Sequence, residues 1–116
     1  RKLAIEHMLE ADVFISLSKG EGLPIAVLEA MYSGCFLVLS AIPSHKEVSP
    51  PSDRCLFVDF SSNYEIVNSL KYVNNNIEEI RRGRNKSKKY AVNNFSVRNM
   101  LDGYKKVYDS LYKDNI

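Results

Sequence analysis

The chain has 116 residues, of which 45% are hydrophobic and 26% are charged, and its formal net charge is +2. A chain of this length buries one hydrophobic core, which excludes two domains of independent size, so we expect residues 1–116 to form a single domain. No apolar stretch approaches the roughly 20 residues that a membrane span needs, and residues 1–10 lack the pattern of a signal peptide. The sequence therefore predicts a soluble, cytoplasmic protein.

The two cysteines point away from metal or disulfide chemistry. Cys35 and Cys55 lie in apolar runs without the spacing of a zinc site, a haem attachment site or a disulfide framework. We therefore expect two buried or half-buried free thiols, which suit a reducing compartment.

The first sixty residues alternate between short apolar runs and helical patterns. Residues 2–11 carry apolar side chains at helical spacing, and a second helix is expected over residues 24–32. Proline is tolerated in the first turn of that helix, and Gly34 can end it. Three runs rich in strand-forming residues predict strands at 13–17, 36–40 and 56–58. Apolar strands joined through a helix predict a parallel sheet covered on both faces.

The second half of the chain is helical in pattern. One amphipathic stripe covers residues 66–73, and three asparagines at 74–76 interrupt it. A second helix is expected from Ile77 to about residue 93, and Ser96 is a good N-cap for a third. The expected fold class is thus α/β: a Rossmann-like, three-layer domain with a short parallel sheet of about three strands, followed by C-terminal helices.

A run of basic side chains lies on the second of these helices, at Arg81, Arg82, Arg84, Lys86, Lys88 and Lys89. Two interpretations are open: a solvated helix face, or a patch that attracts anionic lipid head groups in peripheral contact with a membrane. No nucleic-acid-binding motif accompanies the run, and we expect no nucleic acid partner.

The residues with the clearest chemistry lie between 18 and 29, where the first predicted strand leads into its helix. Loops at the carboxyl edge of a parallel sheet bind ligands, and the free N–H groups of a helix start stabilise phosphate. Glu21 precedes the helix and Glu29 lies within it, so two carboxylates approach one ligand and could accept hydrogen bonds from sugar or ribose hydroxyls. Paired acids could instead bind a metal or transfer protons. The structural alternative is that Glu21 caps the helix and Glu29 is a solvated helical residue.

Residues 18–34, SKGEGLPIAVLEAMYSG, resemble the signature of the retaining, nucleotide-sugar-dependent glycosyltransferases of the GT-B fold, family 4. In that family two glutamates separated by seven residues precede an Ala-Met pair and a glycine. Here Glu21 and Glu29 are the two glutamates, and residues 30–31 and Gly34 are the Ala-Met pair and the glycine. Residues 12–15 and 42–47 resemble the flanking segments, so the resemblance covers nearly the whole chain. It implies that the chain is a partial C-terminal lobe, which binds the donor, of a larger enzyme.

The resemblance also implies roles for individual residues. Glu21 would contact hydroxyls of the transferred sugar, and Glu29 would contact the ribose hydroxyls of the nucleotide. The backbone between them, at Gly22, Leu23, Pro24 and Ile25, would contact the sugar and the diphosphate, and Ser18 would shape the loop. Pro24 departs from the glycine found in many relatives and has no N–H to offer a phosphate. We expect no metal, no other cofactor and no covalent nucleophile.

Two functions follow from this. The first is a hexosyltransferase type of enzyme acting with retention in polysaccharide, lipopolysaccharide or glycolipid assembly, whose N-terminal, acceptor-binding lobe lies outside this chain. In that case the isolated chain is inactive. The alternative is a non-catalytic module that binds a nucleotide or a protein partner and keeps half of a GT-B fold.

His45 lies in the loop after the second predicted strand, close to Glu47. It could face the cleft, or it could serve the loop as a cap. We assign it no catalytic role from the sequence.

Overall fold

The three strands occur where the sequence predicts them. The computed structural model describes residues 7–20, 25–48 and 50–95. Residues 7–10 form helix α1, and the elements that follow are β1 Val13–Ser16, α2 Ile25–Tyr32, β2 Phe36–Ser40, α3 Pro43–Glu47, β3 Cys55–Val58, α4 Asn63–Asn75, α5 Ile77–Arg82 and α6 Arg84–Asn94. The expected helix that Ser96 would cap lies outside the described residues.

The sheet is parallel, in the order β1-β2-β3, and β2 is its centre. Every residue of β2 is buried, because helices cover both of its faces. Leu37 and Leu39 belong to one apolar cluster, which includes residues of α2 and α6. Phe36 and Val38 point to the other face and pack in a second cluster with Ile80 of α5. The fold is therefore a three-layer, Rossmann-like α/β arrangement, which is compatible with part of a GT-B domain.

The expected covering of the sheet on both faces is complete at β2, and one side chain in each outer strand is partly exposed. Ile15 in β1 is 45% exposed and Phe57 in β3 is 39% exposed. The physical reason is position: β1 and β3 are the edge strands of the described sheet, so each has a strand neighbour on one side only.

Gly34 ends α2 as predicted. Its φ of +87° lies in the left-handed region, which side chains with a Cβ rarely adopt. The space is also occupied, since an added Cβ would lie 3.1 Å from Cε of Lys88 and 3.2 Å from Cβ of Arg84. The turn therefore lets α6 pack closely against the end of α2.

The prediction of one helix from Ile77 to about residue 93 is wrong, because the chain breaks at Gly83 into α5 and α6. The reason lies in a distant residue. Arg54 is buried, with 4% of its surface exposed. An added Cβ at Gly83 would lie only 2.6 Å from Nη1 of Arg54. Glycine at the break therefore makes room for a buried guanidinium.

Arg54 joins three helices from its position just before β3. Its Nε donates to Oγ of Ser87 at 2.8 Å, its Nη1 to the carbonyl of Ile80 at 2.8 Å, and its Nη2 to the carbonyl of Gly34 at 3.3 Å. The last two acceptors lie at or just past helix ends, where partial negative charge suits a cation. Burial lowers the pKa of the Arg54 guanidinium.

Several members of the basic run have partners within the fold. Arg81 pairs with Asp12 at 3.1 Å, and Lys86 pairs with Asp53. Arg84 donates to the carbonyls of Ala11, Leu9 and Ser33 at 2.8, 2.9 and 2.9 Å, and so ties α6 to the ends of α1 and α2. Three of the six basic side chains therefore have partners within the fold, which leaves fewer of them for a lipid surface.

None of the helices in the ranges that the structure describes is long and apolar enough to cross a membrane.

Candidate functional site

The candidate site lies at the carboxyl edge of the sheet, where β1 leads toward α2. Parallel strands all end at this edge, and the segment that leaves β1 must cross it to reach α2. Of the residues that the sequence assigns to donor binding, Ser18, Ile25 and Glu29 are described. The other four, Glu21, Gly22, Leu23 and Pro24, lie outside the described residues. The structure thus places the two ends of the loop and the second acid.

Glu29 is buried, with 2% of its surface exposed. It lies in the middle of α2, the helix whose buried residues Val27, Ala30 and Met31 face the core. The interpretation of Glu29 as a solvated helical residue is therefore wrong. A charged side chain is rarely buried to this degree unless other groups compensate its charge, because desolvating a carboxylate costs several kcal/mol.

The start of α2 provides the electrostatic setting for an anion. Ile25, its first residue, is half-buried, and the first turn contains no acidic side chain. The backbone N–H groups of a first helical turn have no acceptor within the helix, and they carry partial positive charge. A negatively charged group is therefore stabilised here.

A second group of polar residues lies at the same edge, and sequence reasoning missed most of it. Ser40 ends β2 with 0% exposure, and its Oγ lies 2.6 Å from the carbonyl oxygen of Ser18. His45, on α3, also has 0% exposure, and its Nδ1 lies 2.8 Å from the carbonyl oxygen of Ser40. His45 thus serves the loop, which was one of the two roles left open for it. Ser40 gave no signal in the sequence, where it is simply the last residue of an apolar run.

Lys19 provides a further contact across the edge. Its Nζ lies 5.8 Å from the centre of the Phe60 ring, which follows β3. At an exposed position a contact of this kind stabilises by about 0.5–1 kcal/mol. The beginning of the loop is therefore in contact with the last residue of β2 and with the segment that follows β3.

Neither thiol is suited to nucleophilic chemistry. Cys35 and Cys55 are free and buried, as the sequence predicts. Burial raises the pKa of Cys35, and it raises the pKa of Cys55 to about 12. Both groups therefore remain protonated thiols at neutral pH.

The described residues contain no group of three or more His, Cys, Asp or Glu side chains that could hold a metal ion. Glu21 lies outside those residues, so its pairing with Glu29 is not included in this finding. The expectation that no metal takes part stays a prediction.

A cavity of about 290 Å³ lies at the opposite, amino edge of the sheet, beside Phe36 and Arg54. Basic Arg82 and Lys86 line it together with acidic Asp53 and Glu79. Three of the charged groups at this cavity already have partners in the fold, because Lys86 pairs with Asp53 and Arg54 donates to backbone carbonyls. The carboxyl edge remains the better candidate.

Comparison with known proteins identifies the family of the chain. The family model described as glycosyl transferases group 1 matches residues 1–91, which include β1, α2 and the loop between them. No curated protein and no solved structure matches the chain. The family model covers well over half of the sequence, and the chain therefore belongs to the group 1 glycosyltransferases.

Proposed function

We propose that this chain is the donor-binding part of a retaining glycosyltransferase of family 4, which takes a sugar from a nucleotide-sugar donor. The single observation that carries the proposal is the burial of Glu29 on the helix that follows the candidate loop. By the resemblance to the family, this buried acid on the helix that follows the loop accepts hydrogen bonds from a pair of vicinal hydroxyls.

The remaining roles are those that the resemblance to the family implies. Glu29 binds the ribose hydroxyls, Glu21 binds hydroxyls of the transferred sugar, and the diphosphate lies at the start of α2. Backbone groups from Gly22 to Ile25 contact the sugar and the diphosphate. A carboxylate in a low-dielectric site binds hydroxyls more strongly than one in water, since water no longer competes.

In this proposal the donor-leaving phosphate assists the attack of the acceptor, so no metal, cofactor or protein nucleophile is required. The acceptor binds to a second, N-terminal lobe outside this chain. We further propose that the full-length enzyme works in the cytoplasm, at the membrane face where polysaccharides or glycolipids, including lipopolysaccharide, are assembled. Arg81, Arg84 and Lys86 are engaged within the fold, so they contribute less to a membrane contact than the other basic side chains of the run.

The test replaces Glu29 with Gln in the full-length enzyme. Gln has nearly the same shape, but it exchanges an ionised acceptor for a neutral amide. The loss of charge-assisted hydrogen bonds should weaken donor binding by about 10- to 100-fold. Calorimetric titration with a panel of nucleotide sugars measures this, and the thermal midpoint shows whether the fold is intact.

The matched control is Glu79→Gln, an exposed glutamate on α5. Its donor affinity should equal that of the wild-type enzyme. Unchanged affinity in Glu29→Gln would refute the assigned role. Donor binding without any transfer to an acceptor would instead favour the alternative, a non-catalytic module.

A further inference from the structure

Ser40 connects the ends of two strands at the carboxyl edge. In the register of the sheet Ser16 lies opposite Leu39, so the chain leaving β1 passes alongside Ser40. The Ser40 Oγ lies 2.6 Å from the carbonyl oxygen of Ser18. A carbonyl oxygen only accepts hydrogen bonds, so the hydroxyl of Ser40 is the donor. The first residue of the candidate loop is thereby tied to the centre of the sheet.

His45 in turn fixes Ser40. Its Nδ1 lies 2.8 Å from the Ser40 carbonyl oxygen and 3.3 Å from Ser40 Oγ. Because the carbonyl oxygen can only accept, Nδ1 must carry the proton. The single hydroxyl proton of Ser40 points to Ser18, so Ser40 Oγ can only accept from Nδ1 as well. One proton arrangement therefore satisfies the whole chain of contacts.

The short helix α3 brings His45 into this position. The amide of Ile42 donates to the Ser40 carbonyl at 2.8 Å, and the amide of His45 donates to the Ile42 carbonyl at 3.1 Å. These bonds fold the chain back over the end of β2, and Pro43 starts the helix at a position that needs no N–H donor. With its two acceptor positions filled, by Ile42 and by His45, the Ser40 carbonyl has little freedom to move.

We propose that His45 and Ser40 are positioning residues for donor binding. His45 Nδ1–H donates to Ser40, and Ser40 Oγ–H donates to the Ser18 carbonyl. Together these hydrogen bonds set the direction in which the loop leaves β1 toward α2. This inference rests on the proposed function. Buried hydrogen bonds of this kind hold Ser18, Ser40 and His45 in one arrangement, and a displaced binding group loses much of its effect.

The test uses three variants of the full-length enzyme. Ser40→Ala removes the hydroxyl, and His45→Gln removes the donor at the Nδ1 position. His45→Asn places its amide N–H close to where Nδ1–H was. Ser40→Ala and His45→Gln should raise the donor Kd and KM by about tenfold or more while the acceptor KM stays unchanged. His45→Asn should restore most of the donor affinity.

Ser87→Ala is the matched control. Ser87 is also a buried serine, 1% exposed, but its hydroxyl accepts from Arg54 Nε at the amino edge. It should lower the thermal midpoint and leave the donor Kd unchanged. Amide exchange in a peptide covering residues 17–20, measured without donor, should accelerate in Ser40→Ala and not in Ser87→Ala.

The outcomes separate this inference from the proposed function. If Glu29→Gln weakens donor binding but Ser40→Ala and His45→Gln do not, the positioning role is refuted and the proposed function stands. An equal loss of donor affinity in Ser87→Ala also refutes it, since the effect would then follow general stability. A wild-type enzyme that binds no nucleotide sugar overturns the proposed function, and the donor-binding role of His45 and Ser40 with it.

Discussion

Replacing Arg54 with Met should cost much of the stability of this small domain. The substitution keeps most of the side-chain length but removes the guanidinium, which leaves the Ser87 hydroxyl and two carbonyls without their donor. Hydrogen bonds from a charged donor contribute about 1.5–3 kcal/mol each, and two of the three are short. The cost of burying the charge, visible in the lowered pKa of Arg54, offsets part of this. We expect a net loss of about 2–4 kcal/mol.

Urea denaturation of the wild type, of Arg54→Met, of Ser87→Ala and of the double variant forms a double-mutant cycle. Ser87→Ala alone should cost about 1–2 kcal/mol. Because both single variants remove the same bond, the double variant should lose about 1 kcal/mol less than the sum of the two. A loss below about 0.5 kcal/mol in Arg54→Met, or strict additivity in the cycle, would refute the view that Arg54 holds the three helices together.

Three further predictions concern single residues. Gly34→Ala should lower the free energy of unfolding, measured in urea, by about 1–2 kcal/mol because Gly34 has a positive φ. Gly20→Ala should change it little, because no atom lies within 4 Å of the new Cβ. Equal effects of the two substitutions would contradict this reasoning. Both thiols should react with iodoacetamide at pH 8 about 100-fold more slowly in the native chain than in urea, and fast native labelling of Cys55 would contradict its raised pKa. The hydrogen bond from Lys86 lowers the pKa of Asp53 below its ordinary value of 3.8, so the stability that Asp53 contributes is present above pH 3.8 and is lost as the pH falls through the lowered pKa. In Asp53→Asn the urea midpoint should therefore fall less steeply below about pH 4 than in the wild type. An equally steep fall would contradict this.

The sequence predicted correctly those strands and helix ends that are determined by a short run of neighbouring residues. The apolar run at residues 36–40 is fully buried as β2, and Gly34 ends the preceding helix with a positive φ. The break at Gly83 could not be predicted, because its reason is the side chain of Arg54, which is 29 positions earlier in the sequence and meets Gly83 only in the folded chain. Helix α3 was missed because five residues are too few for a periodic pattern to appear.

The candidate site divides in the same way. The spacing of Glu21 and Glu29 is a sequence signal for a glycosyltransferase, and the chain belongs to the group 1 glycosyltransferases. The burial of Glu29 depends on how α2 packs on the sheet, which the pattern of one helix does not reveal. The contacts among Ser18, Ser40 and His45 depend on strand register, and register is set by the whole sheet.

The most direct test of the central claim is a crystal structure of the full-length enzyme with a bound nucleotide sugar. We expect the nucleotide sugar at the carboxyl ends of β1 and β2, with its ribose hydroxyls within hydrogen-bonding distance of Glu29 and its diphosphate at the start of α2. A nucleotide sugar bound elsewhere, such as in the cavity beside Arg54 at the amino edge, would contradict the account.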